Sequence, residues 1–300
     1  MKIGIVGAGV VGSATAHAFK GHVDEVRVYD INKDRSTHSV GEVLLTDIVF
    51  VCLPTPQKVD SLECDLSHVE KFFKYVSNTS AVNYVLRSTV PIGTTRKLRE
   101  QYDLPNLVHS PEFLTARTAM EDAANPTRMI VGVPGWDKEA DEWHNDCAAM
   151  LCKLYRKVFK CREAGTVTEN WTPELFVMTS DESEAVKLMQ NSYSAVVIAT
   201  LNEFRCLADK TGMDWDRIMQ ALLVSGWLAP HHTKVPGPDG KRGFGGSCLP
   251  KDLANLINCI IERVNDNHAL VMDTGDEYMT CISVLQAAYD RNQYIDRIEE

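Results

Sequence analysis

Three glycines near the start of the chain place the tightest constraint on its fold. The segment Gly7-Ala8-Gly9-Val10-Val11-Gly12 has the spacing G-x-G-x-x-G. It follows an apolar run, Ile3–Val6, and leads into a helical pattern, Gly12–Phe19. Glycine permits a tight turn there and lets a phosphate approach the N–H groups at the start of the helix. The spacing and its position therefore predict a strand, a turn and a helix that bind the pyrophosphate of a dinucleotide.

An acidic residue at the end of the second predicted strand fits the same interpretation. Asp30 follows Glu25–Tyr29, about 20 residues beyond the glycines, where a carboxylate can bind the ribose hydroxyls of the adenosine. The same negative charge would repel the 2′-phosphate of NADP. The sequence therefore predicts NAD as the cofactor. The alternative is a glycine-rich turn in an unrelated α/β protein.

The composition is that of a globular protein with room for about two domains. The chain has 300 residues, 44% of them hydrophobic, and a net charge of −10, which disfavours general binding to nucleic acid or to an anionic membrane. Its nine cysteines form no zinc-ligand pattern, and His231 and His232 lack a third ligand, so no metal is expected. Reduced thiols, and Met1 leading directly into a strand-like run, predict a cytoplasmic protein without a secretory signal.

The first half of the chain alternates short apolar runs with amphipathic segments, which favours a mostly parallel sheet with helices on both faces. The predicted strands are Ile3–Val6, Glu25–Tyr29, Ile48–Leu53, Asn83–Arg87, Leu107–Ser110, Met129–Val133 and Leu175–Met178. The predicted helices of this half are Gly12–Phe19, Leu66–Val76 and Asp137–Phe159. The predicted fold class is therefore α/β, with a Rossmann-like, doubly wound sheet in an NAD-binding domain over residues 1–180.

Residues 181–300 are predicted to form an all-helical central domain. The segment Glu182–Lys210 contains no glycine or proline, with Asp181 as its expected N-cap and Gly212 as its stop. Another helix, Trp215–Val224, is expected to follow. Because the long helix is apolar and the domain around it is small, one of its sides is expected to pack against a second copy. This predicts a homodimer formed through the long central helix.

The segment Gly243-Phe244-Gly245-Gly246-Ser247-Cys248-Leu249-Pro250-Lys251-Asp252 carries the most reactive chemistry in the sequence. A thiol becomes a nucleophile when a positive charge or a helix N-terminus favours its thiolate. Most cysteines are small buried hydrophobic residues, and the other eight fit that description. Cys248 does not, because it lies in a glycine-rich loop beside Lys251. With a nicotinamide cofactor, such a thiol predicts oxidation to the acid level through a covalent thioester.

Four other polar residues stand where they could assist this chemistry. Lys187 and Asn191 are four residues apart on the predicted long helix, so they share a face and could stabilise an oxyanion. Thr89 and Glu112 follow predicted strands at the carboxyl edge of the sheet, where α/β proteins bind ligands. Glu112 could be the base that activates a hydrolytic water. The alternative for each of these residues is an ordinary solvated side chain.

Taken together, and in their order along the chain, these motifs resemble those of the UDP-glucose/GDP-mannose dehydrogenase family. The glycine loop is common to many families, whereas the Cys248 segment and the ordered combination are far more specific. The matching stretches extend over most of the chain and are Gly7–Gly12, Val51–Pro56, Ser88–Thr95, Pro111–Leu114, Asn125–Arg128, Glu184–Lys187 with Asn191, Asn202-Glu203, and Gly243–Asp252.

The resemblance implies a four-electron oxidation of a nucleotide sugar by two NAD molecules, with UDP-glucose to UDP-glucuronate as the expected reaction. It implies that Cys248 is the nucleophile, that Lys187 and Asn191 stabilise oxyanions, and that Glu112 is the hydrolytic base. It places Asp252 and Thr89 in the hydrogen-bond network of the catalytic water. With the glycine loop included, the expected cofactor contacts are Gly7, Gly9, Val10, Val11, Gly12, Asp30, Arg35, Pro54, Thr55, Thr89 and Lys251. The expected substrate contacts are Glu112, Phe113, Leu114, Lys187, Asn191, Lys241, Arg242, Phe244, Gly245 and Gly246.

Two departures from the family pattern leave alternatives open. Ala116 stands where family members usually carry Glu, so a cofactor contact or an ancillary acid is missing or replaced. The family's C-terminal nucleotide-binding domain is not in this sequence, so a partner subunit, the loop around Lys241 and Arg242, or a different substrate is expected to compensate. A single-step hydroxyacid dehydrogenase of the 6-phosphogluconate-like type would explain Lys187 and Asn191 but needs no thiol. A non-catalytic NAD-binding protein is the third hypothesis.

Overall fold

The computed structural model describes residues 1–77, 81–135, 145–165, 172–266 and 277–297. Within these ranges the strands are β1 (Lys2–Val6), β2 (Glu25–Tyr29), β3 (Ile48–Val51), β4 (Tyr84–Leu86), β5 (Leu107–His109), β6 (Arg128–Val133), β7 (Arg162–Glu163) and β8 (Glu174–Thr179). The helices are α1 (Val10–Phe19), α2 (Val40–Leu44), α3 (Ser67–Tyr75), α4 (Thr94–Tyr102), α5 (Ala119–Ala124), α6 (Asp146–Phe159), α7 (Ser180–Thr211), α8 (Trp215–Val224), α9 (Leu249–Asp266) and α10 (Glu277–Arg291).

The described strands form one sheet in the order β2-β1-β3-β4-β5-β6-β8-β7. Strands β1 to β5 are parallel to one another, β6 is antiparallel to β5, and β8 is parallel to both β6 and β7. The direction in which strands are added reverses at β1, because β2 lies on one side of it and β3 on the other. The loops after β1 and β3 therefore flank a crevice at the carboxyl edge, where open α/β sheets bind ligands.

Both faces of the sheet are buried, as continuous apolar strands predict. One core includes Ile5, Phe50 and Tyr155 and lies under α1 and α6. The other core includes Val51 and Phe73 and lies under α3 and α4. Helices thus cover both sides of a mainly parallel sheet. This arrangement, followed by a helical region, confirms the predicted fold class.

The chain divides into two compact units. The first comprises Met1–Thr55 and Asp65–Lys187, and the second comprises Pro56–Cys64 and Leu188–Glu300. The second unit is built from helices around an apolar cluster that includes Ala195, Leu253, Ile257 and Ile282. A further cluster, with Leu201, Trp215 and Met219 among its members, joins the later turns of α7 to α8. The division of function between residues 1–180 and 181–300 stays a prediction.

Most predicted elements agree with the structure to within one or two residues at their ends, and Glu25–Tyr29 and Trp215–Val224 coincide with β2 and α8. The helix predicted over Asp137–Phe159 is found from Asp146 onward, with the Asn145 side chain accepting a hydrogen bond from the Ala148 N–H. Its earlier part, residues 137–144, lies outside the described residues. No described helix has both the length and the apolar composition that a membrane span requires.

The predicted N-cap of the long helix is wrong. Helix α7 begins at Ser180, so Asp181 lies in its first turn. The Thr179 hydroxyl accepts a hydrogen bond from the Glu182 N–H (3.2 Å), and the Glu182 carboxylate accepts one from the Thr179 N–H (2.9 Å). This reciprocal cap forms at Thr179 because β8 continues directly into α7, without a loop that could place Asp181 before the helix.

Candidate functional site

The glycine loop has the geometry of a phosphate cradle. Gly7 has a φ of +92°, and a Cβ there would lie 2.5 Å from the Cys52 carbonyl oxygen. A Cβ on Gly12 would overlap the Gly7 carbonyl oxygen, so the start of α1 packs directly on the turn. A Cβ on Gly9 would meet nothing within 4 Å, which leaves open space at the N-terminus of α1. These residues therefore fit the diphosphate of a dinucleotide, which the helix N-terminus attracts.

The carboxylate of Asp30 connects β2 to the glycine loop. It accepts hydrogen bonds from the Ala8 N–H (2.6 Å) and the Asn32 N–H (2.8 Å). A cavity of about 840 Å³ adjoins this loop, and exposed Arg35 is among the residues that line it. The full lining is Ala8, Gly9, Val10, Ser13, Ala16, Val28, Arg35 and residues 116–121. Of the predicted cofactor residues that follow β1 and β2, Gly9, Val10 and Arg35 thus line one cavity.

The loops after β3 and β4 are joined by side-chain hydrogen bonds at the same edge of the sheet. The Thr55 hydroxyl donates to the Thr89 carbonyl oxygen (2.6 Å), and the Ser88 hydroxyl donates to the Leu53 carbonyl oxygen (2.7 Å). Pro54, which lies between Leu53 and Thr55 in the chain, is exposed. The structure therefore brings the predicted residues Thr55 and Thr89 together and fixes their backbone.

A buried ion pair lies beyond β5. The Glu112 carboxylate is 3.0 Å from the Lys187 ammonium, and their side chains are only 8% and 5% exposed. The other Glu112 oxygen accepts a hydrogen bond from the Leu114 N–H (2.6 Å). The Lys187 nitrogen also lies 5.6 Å from the centre of the Phe113 ring. Four predicted residues from two separate segments, Glu112–Leu114 and Lys187, are thus in one cluster, which can hold a negative charge beside a potential base.

Arg128 ends one of the stretches that resemble the family, but the sequence predicted no role for it. Its guanidinium carbon lies 4.0 Å from the centre of the Phe113 ring, close enough for a cation–π interaction. Burial lowers the pKa of Arg128. Arg128, the first residue of β6, therefore holds the Phe113 ring in place. The position of Arg128 in the sequence did not reveal this contact.

A second missed residue anchors the helix that carries Lys187. Glu184 is 1% exposed, and its carboxylate accepts hydrogen bonds from the Gly93 N–H (2.5 Å), the Thr95 N–H (2.8 Å) and the Thr95 hydroxyl (2.6 Å). Burial raises the pKa of Glu184 to about 7, against the lowering effect of these donors. The carboxylate caps the N-terminus of α4 and ties the loop after β4 to the first turns of α7.

The second unit holds a separate polar cluster at the start of α9. The fully buried Asp252 carboxylate accepts a hydrogen bond from the Asn191 amide (2.6 Å) and forms an ion pair with the Lys251 ammonium. The Asp252 N–H donates to the Cys248 carbonyl oxygen (2.9 Å), as the first helical hydrogen bond of α9. The structure therefore brings Asn191, Lys251 and Asp252 together, one turn from Cys248.

Cys248 differs from the other described cysteines in its exposure. It is exposed and immediately precedes Leu249, the first residue of α9. Among the remaining described cysteines, burial raises the pKa of Cys52 to about 12 and those of Cys152 and Cys161 to about 11. Within the described part of the chain Cys248 is thus the one exposed cysteine, whereas Cys64 and Cys206 are half-buried.

The loop that leads to Cys248 is held by amide side chains. The Asn202 side chain accepts from the Gly243 N–H (3.1 Å), and Asn292 both accepts from the Phe244 N–H (2.8 Å) and donates to its carbonyl oxygen (2.9 Å). Phe244, a predicted substrate contact, is 1% exposed and packs in the apolar cluster of the second unit. Sequence reasoning missed Asn292, because its contact with Phe244 joins positions 48 residues apart.

The other predicted substrate residues of this loop are more open. Gly246 and Lys241 are exposed, and Gly245 and Arg242 are half-buried. The Arg242 guanidinium forms an ion pair with Asp209.

As far as the structure describes the chain, the histidine pair of the sequence does not form part of a metal-binding group. The rings of His231 and His232 are adjacent, with centroids 4.7 Å apart. The described residues contain no group of three or more histidines, cysteines and acids that could hold a metal ion.

Comparison with known proteins matches two consecutive parts of the chain to one family. Residues 34–159 match the NAD binding domain of the UDP-glucose/GDP-mannose dehydrogenase family, and residues 181–279 match its central domain. The chain belongs to this family. Its NAD-binding domain therefore identifies NAD as the cofactor, and the glycine loop and Asp30 described above fit that cofactor.

Relatives of this family match over most of the chain. UDP-glucose 6-dehydrogenase of Campylobacter jejuni is 28% identical over 92% of this chain and 72% of its own length. The Mus musculus enzyme of the same name is 27% identical over 85% of this chain, which spans only 57% of that relative. The structure of a UDP-glucose dehydrogenase from Pyrobaculum islandicum superposes with a TM-score of 0.68 at 24% identity, covering 96% of this chain and 68% of that one. At that identity the structural likeness shows the fold.

The glycine loop provides the first test of the cofactor site. We expect Gly12→Ala to lower the free energy of unfolding by about 2 kcal/mol, because its Cβ would overlap the turn. We expect Gly9→Ala to keep the stability but to weaken NADH binding, because the methyl group occupies the open space at the helix N-terminus. Chemical denaturation and fluorescence titration with NADH measure the two effects. Unchanged NADH affinity in Gly9→Ala would contradict the cradle.

The buried ion pair leads to a prediction about stability. We expect Lys187→Met to lower the free energy of unfolding by about 3 kcal/mol, because it leaves the Glu112 carboxylate buried without its cation. The double variant Lys187→Met/Glu112→Gln should recover much of that loss. Arg156→Met removes one partner of an exposed pair with Glu163 and should change the stability little. Urea denaturation measures all of these variants, and additive effects of the two buried substitutions would contradict the coupling.

Proposed function

We propose that this chain is an NAD-dependent dehydrogenase that oxidises the primary alcohol of a nucleotide sugar to a carboxylate, with UDP-glucose as substrate. The proposal rests on the position of Cys248. This residue has an exposed thiol at the N-terminus of α9, and the loop that leads to it is held by Asn202 and Asn292. A single-step hydroxyacid dehydrogenase would leave this thiol without a role. The names of the Campylobacter jejuni and Mus musculus relatives support UDP-glucose as the sugar nucleotide.

The proposed first stage converts the alcohol to an aldehyde. NAD, when bound, accepts a hydride in each of the two oxidations. The Lys187 ammonium would stabilise the alkoxide that forms as the alcohol loses its proton, because the low exposure of the cation strengthens its interaction with a developing charge. Asn191, whose amide is oriented by Asp252, would donate a hydrogen bond to an oxyanion.

The proposed second stage passes through covalent intermediates on the sulfur. The Cys248 thiolate adds to the aldehyde carbon, which forms a C–S bond, breaks the C=O π bond and leaves the thiohemiacetal as an oxyanion. Departure of a second hydride from that carbon leaves a thioester. A water molecule, deprotonated by Glu112, then attacks the thioester carbonyl, and cleavage of the C–S bond releases the carboxylate and restores the thiolate.

The stoichiometry of the reaction tests this proposal. We expect two NADH per UDP-glucose consumed, with the carboxylate as product by mass spectrometry. Cys248→Ala should lower acid formation by at least about a thousandfold, because neither the proposed thiohemiacetal nor the thioester can form without its sulfur. Cys206→Ala changes a half-buried cysteine of α7 and serves as the matched control.

The outcomes separate the competing hypotheses. One NADH per substrate, with full activity in Cys248→Ala, would identify a single-step dehydrogenase. NADH binding without turnover of any member of a sugar-nucleotide panel would identify a non-catalytic protein. Turnover of GDP-mannose, but not of UDP-glucose, with two NADH would change the substrate and keep the mechanism.

We also propose that two copies of the chain associate through α7. Met189, Tyr193, Phe204 and Leu207 on this helix are each at least half exposed, at 56%, 71%, 50% and 56%. Because their positions differ by four, eleven and three residues, they lie along one face of the helix. An apolar stripe of this kind is typical of a helix that packs against a partner. A cytoplasmic location stays a prediction, which is supported by the free state of the eight cysteines that the structure describes.

Charged substitutions on this stripe test the homodimer. We expect Tyr193→Glu/Phe204→Glu to convert a dimer into a monomer, because burying two carboxylates at the interface is unfavourable. Size-exclusion chromatography with light scattering measures the mass. Gln101→Glu adds an exposed carboxylate on α4, outside α7, and should leave the mass unchanged. A monomeric unsubstituted protein, or a double variant that stays dimeric, would contradict the proposal.

A further inference from the structure

The turn between Leu114 and α5 is a well-fixed part of the first unit. The Asp122 carboxylate accepts hydrogen bonds from the Thr115 N–H (2.8 Å) and the Thr118 hydroxyl (2.9 Å). The Thr118 N–H donates to the Thr115 carbonyl oxygen (2.9 Å), which closes the turn. The backbone of Arg117 is therefore held in one position although its side chain is exposed.

This turn forms part of the wall of the cavity beside the glycine loop. Arg117 lines that cavity of about 840 Å³ together with Gly9, Val10 and Arg35. The charged residues of the lining are two guanidinium groups, Arg35 and Arg117, and one carboxylate, Glu121. The cavity therefore has an excess of positive charge next to the N-terminus of α1, where the N–H groups also attract an anion.

The side chain of Arg117 is available for a ligand. Among the described residues it takes part in no ion pair or side-chain hydrogen bond, whereas Arg96 and Arg99 of the same unit bind Asp181 and the Pro134 carbonyl oxygen. Its neighbour Ala116 also lines the cavity and carries only a methyl group, so it occupies little of the space beside the guanidinium. A guanidinium with free donors is well suited to bind phosphate oxygens.

We infer that Arg117 is a cofactor-binding residue whose guanidinium contacts the diphosphate of NAD from the α5 side of the cavity. The glycine loop supplies backbone N–H groups to the same diphosphate, and Arg117 adds a positive charge on a turn fixed by Asp122. The inference concerns dinucleotide binding alone. It does not depend on the two-step oxidation or on the identity of the sugar.

Binding of two probes to the full chain tests the inference. We expect Arg117→Gln to raise the Kd for NADH, measured by fluorescence, about tenfold, as the loss of a charge-assisted hydrogen bond predicts. The Kd for ADP-ribose, which contains the diphosphate but lacks nicotinamide, should rise by the same factor in calorimetry. The salt dependence of both affinities should become weaker, because one fewer cation contributes to the attraction.

Matched variants complete the experiment. Arg117→Lys keeps the charge and should retain most of the affinity, and Lys97→Gln removes an exposed cation of α4 outside the cavity and should bind NADH normally. Thermal unfolding of each variant confirms that its fold is kept. NADH affinity unchanged in Arg117→Gln would overturn the inference. A loss of NADH affinity with unchanged ADP-ribose affinity would also overturn it, because it would place the arginine at the nicotinamide end.

Discussion

The parallel alignment of β1 to β5 is the constraint on which the first unit's chemistry depends. Because these strands run in one direction, the glycine turn after β1, Asp30 after β2, the Thr55 loop after β3, the Thr89 loop after β4 and Glu112 after β5 all emerge at one edge. Each loop is then fixed by its own polar contacts. The buried hydrocarbon on both faces supports the sheet, and the loops at its edge are free to carry the functional groups.

Features that depend on local pattern were predictable from the sequence. The apolar runs predicted strands such as β3, whose four residues are all buried, because a strand buried on both faces requires such a run. The spacing of three glycines predicted the turn before α1 because only glycine tolerates the contacts at Gly7 and Gly12. The long helix was evident from the absence of glycine and proline between Glu182 and Lys210. Its exact start was not, because the cap belongs to the last residue of a strand.

Features that depend on distant contacts were not predictable in detail. The sequence suggested Glu112 and Lys187 separately, but their ion pair joins residues far apart in the chain. The same is true of Asn191 and Asp252, which lie 61 residues apart. Phe244 was expected to contact substrate because of its motif, whereas its ring lies in an apolar cluster that includes Ile282 and Ala288. Only the packing of these later segments reveals that burial.

The three hydrogen bonds of Glu184 have a mechanical consequence. Glu184 and Lys187 are less than one helical turn apart, and the carboxylate is attached to the amides at Gly93 and Thr95. The loop after β4 is therefore linked, through a buried carboxylate, to the helix that carries the ammonium group. A displacement of that loop would carry the cation with it, and separating the two motions would require breaking a buried network rather than rotating a single side chain.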